Sequence, residues 1–405
     1  MSRRVHLVLC TSSGEVIGEL PTFTVDDPWW PEAQPVMEAA SEAFGIEVIV
    51  LRLLHVESST YHGGDVTYLA QLVGQRPRGL PLAPTTERIG DEPLRAAWAR
   101  PGGVEATIAW ADGALLAIGR PRIAPVVQVK TWNLSSILRL PTAAEDVWCK
   151  SVPPFFAHEG AIIALVAADE PGLVPALLAS DPSTGTVLLD DVPGDDDREA
   201  PPERLDTMVR SLVRLQARWI DRVDALLAAG LPDWRARALT GLIEALLARP
   251  GVRAHLEDDE RRSLDALTEG LSQRFAALEA CGLADTLVHG DFHRGNWRFD
   301  GRSLVMLDWG DTGVGHPMLD LSPLKEDLSD EAWAHVRATW VEAWHGERSG
   351  ADPSRAAELI APIALLRQAV MYQGFLDGIE PSEHRYHASD VPDRLRAAIR
   401  ARGRR

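Results

Sequence analysis

Apolar residues recur with two different periods along this chain of 405 residues. Up to about residue 190, short apolar runs alternate with turn residues such as Gly, Ser and Pro, which indicates strands. From Glu203 onward, apolar residues recur every three or four positions, which predicts amphipathic helices. We therefore expect an α+β protein whose strands lie mainly in the N-terminal half and whose helices lie mainly in the C-terminal half.

Residues 1–105 are predicted to form a small α+β module. One helix is expected over Pro31–Phe44, because Val36, Ala40 and Ala43 fall on one face and Gly45 follows as a stop signal. Four strands are expected around it: Val5–Cys10, Val16–Leu20, Ile46–Leu54 and Val66–Val73.

Residues 106–193 and 194–405 are predicted to form a second and a third part. In the second part, a helix is expected over Phe155–Ala168 and a hinge over Asp190–Gly194. The predicted strands there are Val126–Trp132, Ser136–Leu140, Val147–Val152 and Val187–Leu189. The third part is predicted to be helical from Glu203, with further helices over Trp234–Leu247, Leu264–Leu278, Glu331–Trp344, Ser354–Leu376 and Asp393–Arg400.

Composition narrows the class of protein. A length of 405 residues favours more than one domain, and the apolar fraction of 45% is that of a folded globular protein. No apolar run approaches the roughly 20 residues of a membrane span, and no secretory signal is recognisable. Three scattered cysteines fit a reducing cytoplasm. The formal charge of −18 argues against a nucleic-acid partner; it is compatible with a cationic substrate, although solubility explains it equally well.

The segment 287–311, which reads LVHGDFHRGNWRFDGRSLVMLDWGD, carries the clearest chemistry. It places His289, Asp291 and Asn296 in one polar loop, and Asp308 ends the next apolar run. This order matches the catalytic loop of protein kinases, where an Asp accepts the hydroxyl proton and an Asn holds magnesium. Phosphoryl transfer depends on positioning and charge neutralisation, which carboxylate and amide oxygens supply.

Two short strands, Thr286–Val288 and Ser303–Leu307, are expected to fix the ends of this loop, with a hairpin turn at Asp300-Gly301 between them. The alternative is that these polar residues only form a turn. The presence of Asp308 at the expected distance argues against that alternative.

The run HGDFHRGNW followed by LDWGDTGVGHPMLDL resembles the aminoglycoside phosphotransferase family of small-molecule kinases. The resemblance implies a bilobal protein-kinase-like fold with a helix-rich large lobe, preceded here by the N-terminal module. It implies ATP and Mg²⁺ as cofactors and a small-molecule hydroxyl acceptor such as an antibiotic, a sugar or an amino alcohol. Asp291 would be the catalytic base, and Asn296 and Asp308 the metal ligands.

The same resemblance implies supporting roles around the loop. Asp320 would anchor the loop through hydrogen bonds. His289 would support it through hydrogen bonds from a position within the loop. His293 has two open roles, approach to a phosphate or the metal region, or packing of the loop. Asp311 is a candidate for a substrate contact or for supporting a residue that makes one.

In the second part, Lys150 closes the third strand, where a kinase-like fold carries the Lys that binds the α- and β-phosphates. Glu159 is its expected partner, with His158 and Glu145 as competitors. No glycine-rich loop precedes this strand. Ser135 and Ser136 are candidates to cover the phosphates, or else serve only the turn.

The acidic run 195–197 is expected to be a solvated loop. Polar residues in the C-terminal region lie where the family builds its acceptor pocket, although most are expected at the surface: Tyr372, Gln373, Asp377, Glu380 and Glu383.

The block ending in Glu42-Ala43-Phe44-Gly45-Ile46 resembles a degenerate Nudix hydrolase module, with an unrelated α+β module as the alternative. Because Glu42 alone remains of the box acids, we expect no pyrophosphate hydrolysis.

Two classes of function follow. The first is an ATP-dependent phosphotransferase that acts on a small molecule, with a protein substrate ranked last because no activation segment ending in Ala-Pro-Glu is present. The second is a catalytically silent, nucleotide-binding regulatory protein. The intact Asp291, Asn296 and Asp308 favour the first.

Overall fold

The computed structural model describes residues 2–57, 62–326 and 328–402. Contacts divide the chain into two compact units. The first unit comprises Met1–Gly160, Ala176–Asp191 and Phe375–Ala388, and the second comprises Ala161–Pro175, Val192–Gly374 and Ser389–Arg405. The boundary at Asp191 falls inside the segment predicted as a hinge. The division into three parts at residues 105 and 193 stays a prediction.

The first unit begins with a five-stranded sheet in the order β2-β1-β5-β4, with β3 beside β1. Its strands are β1 Arg3–Cys10, β2 Val16–Glu19, β3 Phe23–Val25, β4 Val48–Glu57 and β5 Gly64–Leu72. Helix α1 (Gln34–Phe44) ends at Gly45, whose left-handed φ of 64° suits glycine, as predicted. The sequence did not indicate β3 or helix α2 (Gly103–Ala117).

The second sheet of the first unit is antiparallel, in the order β6-β7-β8-β10-β9. Its strands are β6 Val127–Thr131, β7 Ser136–Leu140, β8 Val147–Ser151, β9 Leu177–Asp181 and β10 Thr186–Asp190. Helix α3 (Glu159–Asp169) follows β8. The four predicted strands are confirmed, whereas β9 was not predicted.

The two sheets of the first unit share one hydrophobic core. Val8 and Leu69 of the first sheet belong to the same buried cluster as Leu138 and Cys149 of the second. The side chain of Gln128 also joins them, since its amide accepts from the backbone nitrogen of Val50 at 2.9 Å and donates to the carbonyl of Val50 at 2.7 Å. Residues 1–105 therefore pack as part of a larger unit.

The second unit is mainly helical, as predicted. It includes α3 from Ala161 onward. Its further helices are α4 Pro202–Trp219, α5 Val223–Ala228, α6 Ala236–Leu247, α7 Pro250–Ala254, α8 Asp258–Glu269, α9 Leu271–Glu279, α10 Leu321–Glu326, α11 Asp330–Glu347, α12 Pro353–Gly378 and α13 Asp390–Arg402. The single helix predicted over Leu264–Leu278 is wrong, because the helix breaks at Gly270 into α8 and α9.

Two small sheets complete the second unit. The first contains β11 Asp195–Asp196, β14 Trp297–Phe299 and β15 Leu304–Met306, and the second contains β12 Asp233–Trp234, β13 Thr286–Val288 and β16 Gly313–Gly315. The turn at Asp300-Gly301 is confirmed between β14 and β15. The sequence placed this turn between β13 and the strand predicted over Ser303–Leu307. That pairing is wrong, since β13 pairs with β16.

The prediction of a solvated loop over the acidic run 195–197 holds only in part, because Asp195 and Asp196 are exposed whereas Asp197 is not. Asp195 and Asp196 pair with β14, and Asp197 is buried. The carboxylate of Asp197 accepts from Arg204 Nε at 2.7 Å and from Arg204 Nη2 at 2.8 Å. The two hydrogen bonds from the Arg204 guanidinium therefore offset the free-energy cost of burying this charge.

Helix α12 alone, among the helices of the described residues, is long and apolar enough to cross a membrane by length and composition. Its most apolar window has a mean hydropathy of 1.3, and 56% of that window is buried inside the protein. The core helix of a globular protein satisfies the same criterion.

Candidate active site

The loop after β13 is anchored by Asp320, which is fully buried. Its Oδ1 accepts from the backbone nitrogen of Gly290 at 2.7 Å, and its Oδ2 accepts from that of His289 at 3.0 Å. Oδ2 also accepts from Gln216 Nε2 at 2.9 Å. Burial raises the pKa of Asp320 to about 6, and the two amide hydrogen bonds oppose that shift. The carboxylate thus fixes the backbone that precedes Asp291.

Gly290 is required by the path of this loop. Its φ is 88°, in the left-handed region that favours glycine. A Cβ at this position would lie 1.9 Å from the carbonyl oxygen of Asp311. Only glycine allows this loop and the segment after Asp308 to approach this closely.

His289 is fully buried, and its Nε2 lies 3.1 Å from the carbonyl oxygen of Leu307. Its ring meets the Trp309 indole edge-on, with centroids 4.9 Å apart. Burial lowers the pKa of His289 to about 4, so the ring is neutral at pH 7. This is the geometry expected of a supporting residue, and its role stays a prediction.

Asp291 and Asn296 are in direct contact. The Asn296 amide nitrogen donates to the backbone oxygen of Asp291 at 2.9 Å and to its Oδ2 at 3.0 Å. His293 Nε2 lies 3.3 Å from the same Oδ2, while its Nδ1 accepts from the backbone nitrogen of Gly295. The Asp291 side chain remains 39% exposed, so its carboxylate is held in place and still accessible.

Asp308 is the only non-glycine residue with a positive φ among the described residues, at 59°. This conformation costs free energy for most side chains, although Asp tolerates it better than larger residues. The side chain is exposed, whereas the next residue, Trp309, is buried and donates its indole N–H to the Met306 carbonyl at 3.0 Å. Strained backbone of this kind is concentrated at functional sites.

In the first unit, Lys150 Nζ lies 2.7 Å from Glu159 Oε1. The Lys150 side chain is 13% exposed and that of Glu159 only 2%. The competing Glu145 is exposed. Ser135 Oγ accepts from the Trp132 indole nitrogen at 2.9 Å, which is a turn contact. The predicted Lys–Glu pair is therefore present, and its role in binding phosphates stays a prediction.

The sequence did not identify Arg367, which is fully buried on α12. Its Nη2 donates to the Gly290 carbonyl at 2.8 Å, and its guanidinium lies 4.3 Å from the centre of the Trp234 ring. Burial lowers the pKa of Arg367, while Asp320 and Asp311 oppose the shift. The sequence offers one signal for Arg367, which is a single charged residue among apolar residues of a predicted helix.

The expectation that most of the five C-terminal polar residues lie at the surface is wrong. Asp377 is exposed and Tyr372 and Gln373 are half-buried, whereas the carboxylates Glu380 and Glu383 are buried. Glu380 accepts from Arg95 Nε at 2.8 Å and lies 3.3 Å from Arg52 Nη1. Both glutamates belong to the first unit. In α1, Glu42 is exposed, and the absence of hydrolysis there stays a prediction.

Several solved structures share the fold of this chain. The macrolide 2'-phosphotransferase MphH from Brachybacterium faecium is 17% identical, with a TM-score of 0.51 over 71% of this chain and 98% of that one. The choline kinase LicA from Streptococcus pneumoniae is 12% identical, with a TM-score of 0.51 over 72% and 97%. The GDP complex of aminoglycoside 2'-phosphotransferase-IIIa is 16% identical, with a TM-score of 0.50 over 73% and 99%.

These similarities confirm the α+β, protein-kinase-like fold. No curated protein sequence matches the chain significantly. The family model described as APH, phosphotransferase enzyme family, matches residues 115–359, which is more than half of the chain and includes the whole loop from His289 to Asp320. The chain therefore belongs to the phosphotransferase enzyme family.

Proposed function

We propose that this protein is an ATP-dependent kinase that transfers the γ-phosphate to a hydroxyl group of a small molecule. The observation that carries the proposal is the contact of Asp291 with Asn296 in a loop anchored by Asp320. That arrangement presents an oriented, accessible carboxylate beside an amide oxygen, the pair that phosphoryl transfer to a hydroxyl uses.

Asp291 would accept the proton of the acceptor hydroxyl. Its Oδ2 is hydrogen bonded to Asn296 Nδ2, so the carboxylate is held in one orientation before the acceptor arrives. Orientation of this kind supplies much of the rate in phosphoryl transfer, because little covalent chemistry is required of the protein.

The donor set around the loop fits Mg²⁺. The Asn296 side-chain oxygen accepts no hydrogen bond from the residues that the structure describes, and the Asp308 carboxylate is exposed. Within the described residues, no group of three or more His, Cys, Asp or Glu side chains could hold a metal. Mg²⁺ would therefore rest on Asn296, Asp308, phosphate oxygens and water, and when bound it neutralises phosphate charge.

Lys150 would bind the α- and β-phosphates of the nucleotide. Glu159 holds its ammonium at 2.7 Å, which limits the orientations that the long side chain can adopt. The acceptor classes that the related structures suggest are an antibiotic hydroxyl, as for the macrolide enzyme, and an amino alcohol, as for the choline kinase. A net charge of −18 is compatible with a cationic acceptor.

A screen of hydroxylated metabolites and antibiotics for acceptor-dependent ADP release tests this proposal. Asp291→Asn should lower the rate by about 10²–10⁴-fold, because a general base contributes that much, while nucleotide binding measured by calorimetry persists. Asp221→Asn is the matched control, since Asp221 is an exposed aspartate of the same unit outside the loop. Equal rates for the Asp291→Asn variant and the wild type would remove Asp291 from the mechanism.

A further inference from the structure

Lysine is rare in this chain. Of its 41 basic residues only three are lysine, namely Lys130, Lys150 and Lys325, and the others are arginine. Two of the three, Lys130 and Lys150, lie in the second sheet of the first unit, on β6 and β8. A lysine presents a compact point charge and an arginine a planar fork, so the two are not equivalent at a binding site. In a chain that uses arginine almost everywhere else, these two positions are candidates for a function of the ammonium group.

Lys130 and Lys150 lie on the same face of this sheet. Lys130 is paired with Ile137 of β7, and Ile137 is paired with Lys150 of β8. Residues that are directly opposite on antiparallel strands point to the same face. The next residue along β7, Leu138, belongs to the core shared with the first sheet, so Ile137 and both lysines lie on the opposite face. Adjacent strands are about 5 Å apart, so the two lysines are separated by about 10 Å at their Cα atoms.

An extra residue in β6 produces this alignment. Gln128 is paired with Leu138 and Lys130 with Ile137, so β6 has one residue more than β7 between these pairs, Val129. Without the extra residue, Val129 would stand opposite Ile137, and Lys130 would point to the other face. A β-bulge redirects a side chain in this way, and such bulges are frequent beside active sites.

The Lys130 ammonium is held only loosely by its neighbours. Its Nζ lies 3.7 Å from Glu32 Oε1, and 34% of the side chain is exposed. By comparison, Lys150 Nζ lies 2.7 Å from Glu159 Oε1. Lys130 Nζ also lies 5.9 Å from the centre of the Trp132 ring, at the outer limit of a cation–π contact. Exposed ion pairs contribute little free energy, so Lys130 is available to a stronger anion.

The turn between β6 and β7 uses its own polar side chains for internal contacts. Ser135 Oγ accepts from the Trp132 indole nitrogen at 2.9 Å. The amide nitrogen of Asn133 donates to the Glu383 carbonyl at 3.2 Å, and its Oδ1 lies 3.3 Å from His387 Nε2. Both Asn133 and Ser135 are buried. In protein kinases a glycine-rich loop at this place covers the phosphates. Because these side chains are already engaged, a phosphate needs a donor from another position.

We propose that Lys130 is a second phosphate-binding lysine, which contacts the phosphate chain of the nucleotide together with Lys150. This inference rests on the proposed kinase function. Lysine binds phosphate as a point charge, and two long side chains on one face can converge on one polyphosphate. Glu32 orients Lys130 as Glu159 orients Lys150. Since Glu32 precedes the matched family region, 115–359, the N-terminal module contributes a residue that supports the nucleotide site.

Calorimetry on the full chain with Mg²⁺ and ADP, and with adenosine in competition with ADP, tests the proposal. Lys130→Met should weaken ADP binding by about tenfold, because it removes one charge-assisted contact with a phosphate, and should leave adenosine binding unchanged. Lys150→Met should show the same selectivity. Lys325→Met is the matched control, because Lys325 is an exposed lysine of the second unit, and its ADP affinity should equal that of the wild type.

Glu32→Gln separates phosphate binding from a role that is only structural. The variant keeps the Lys130 ammonium and removes the carboxylate that competes with a phosphate for it, so ADP should bind at least as tightly as to the wild type. If Lys130 served only its pair with Glu32, Lys130→Met and Glu32→Gln would change thermal stability alike, and neither would change the affinity for ADP.

Two results would overturn the inference alone. The first is wild-type ADP affinity in a folded Lys130→Met variant while Lys150→Met is weakened. The second is an equal loss for ADP and adenosine, because Lys130 would then act through the fold and not through the phosphates. Absence of ADP binding by the wild type would instead refute the proposed kinase function and this inference with it. If Lys130→Met does not fold, Lys130→Gln, which keeps a polar side chain, decides by the same criteria.

Discussion

Two buried carboxylates, Asp320 in the second unit and Glu380 in the first, are compensated in different ways. Asp320 accepts from two backbone amides and one side-chain amide, which are neutral donors. Glu380 lies against two guanidinium groups, those of Arg52 and Arg95. The first arrangement fixes backbone atoms in the loop that carries Asp291, whereas the second joins segments almost 300 residues or more apart along the chain. The partners of a buried carboxylate thus indicate its structural role. Neutral amide donors at Asp320 indicate support of a loop, and the two arginines at Glu380 indicate a junction between distant segments.

The largest effect is expected for Asp320→Ala. The change leaves the buried backbone amides of His289 and Gly290 without this acceptor and Gln216 Nε2 with only the Pro317 carbonyl. It also removes the opposing charge that acts most strongly on Arg367. The free energy of unfolding should fall by about 3–5 kcal/mol, and phosphoryl transfer should slow because Gly290 and His289 lose their anchor. Urea unfolding and turnover, both measured where the variant is folded, check this. A folded variant with wild-type turnover would contradict it, and Asp320→Asn, which keeps one acceptor, should be milder.

A loss of similar kind but smaller size is expected for Glu380→Ala. Arg52 and Arg95 would remain buried without their shared carboxylate, and removal of one partner from a buried ion pair costs about 3 kcal/mol. The control is Glu342→Ala, because Glu342 is 70% exposed and its pair with Arg210 should contribute below about 1 kcal/mol. Turnover of the folded variant should match the wild type. If Glu380→Ala slows turnover as much as Asp320→Ala, the distinction between the two carboxylates is wrong.

A third prediction concerns the support that Arg367 gives to the loop. Arg367→Lys keeps the charge but loses the planar group that lies over Trp234 and the Nη2 bond to Gly290. We expect a loss of about 1–2 kcal/mol in stability and a modestly lower turnover. Arg214→Lys, at an exposed position of α4, is the control. Identical unfolding curves for Arg367→Lys and the wild type would show that this arginine does not brace the loop.

The parts of the fold that the sequence predicted depend on local signals. Strand β13 was predicted with its observed bounds, and Gly45 ended α1, because apolar runs and a left-handed glycine are visible within a few residues. The predicted catalytic segment is equally local, since Asp291 and Asn296 lie in one loop and contact each other. Helix α2 was missed because it begins directly after Gly102, at Gly103, and glycine is a weak helix former. At Gly103, the first helical residue, a Cβ would lie 1.9 Å from the Ala97 carbonyl.

The features that the sequence did not predict depend on partners far away along the chain. Arg367 reaches Gly290 across 77 residues, and Glu383 meets Leu53 across 330 residues. No local pattern distinguishes such a carboxylate from an exposed one, which is why the group of polar residues that includes Glu380 and Glu383 was expected to lie mostly at the surface. Asp197 shows the same limit, since the acidic run indicated solvent and Arg204 determined its burial.

The smallest effect is expected for Glu383→Gln, which should leave stability unchanged at low pH and raise it at high pH. Burial, with the neighbouring charge of Glu380, raises the pKa of Glu383 from 4.5 to about 8. The folded state therefore binds a proton that the unfolded chain releases, so the contribution of Glu383 to stability is full below pH 4.5 and is lost as the pH rises to about 8. Glutamine stays neutral and retains an oxygen for the Leu53 amide, which lies 3.4 Å away. Unfolding free energies of both proteins should agree at the acidic end of this range and diverge at the alkaline end, with the variant more stable. Parallel pH profiles would show that Glu383 is ionised in the fold and that its partners, like those of Glu380, are the arginines.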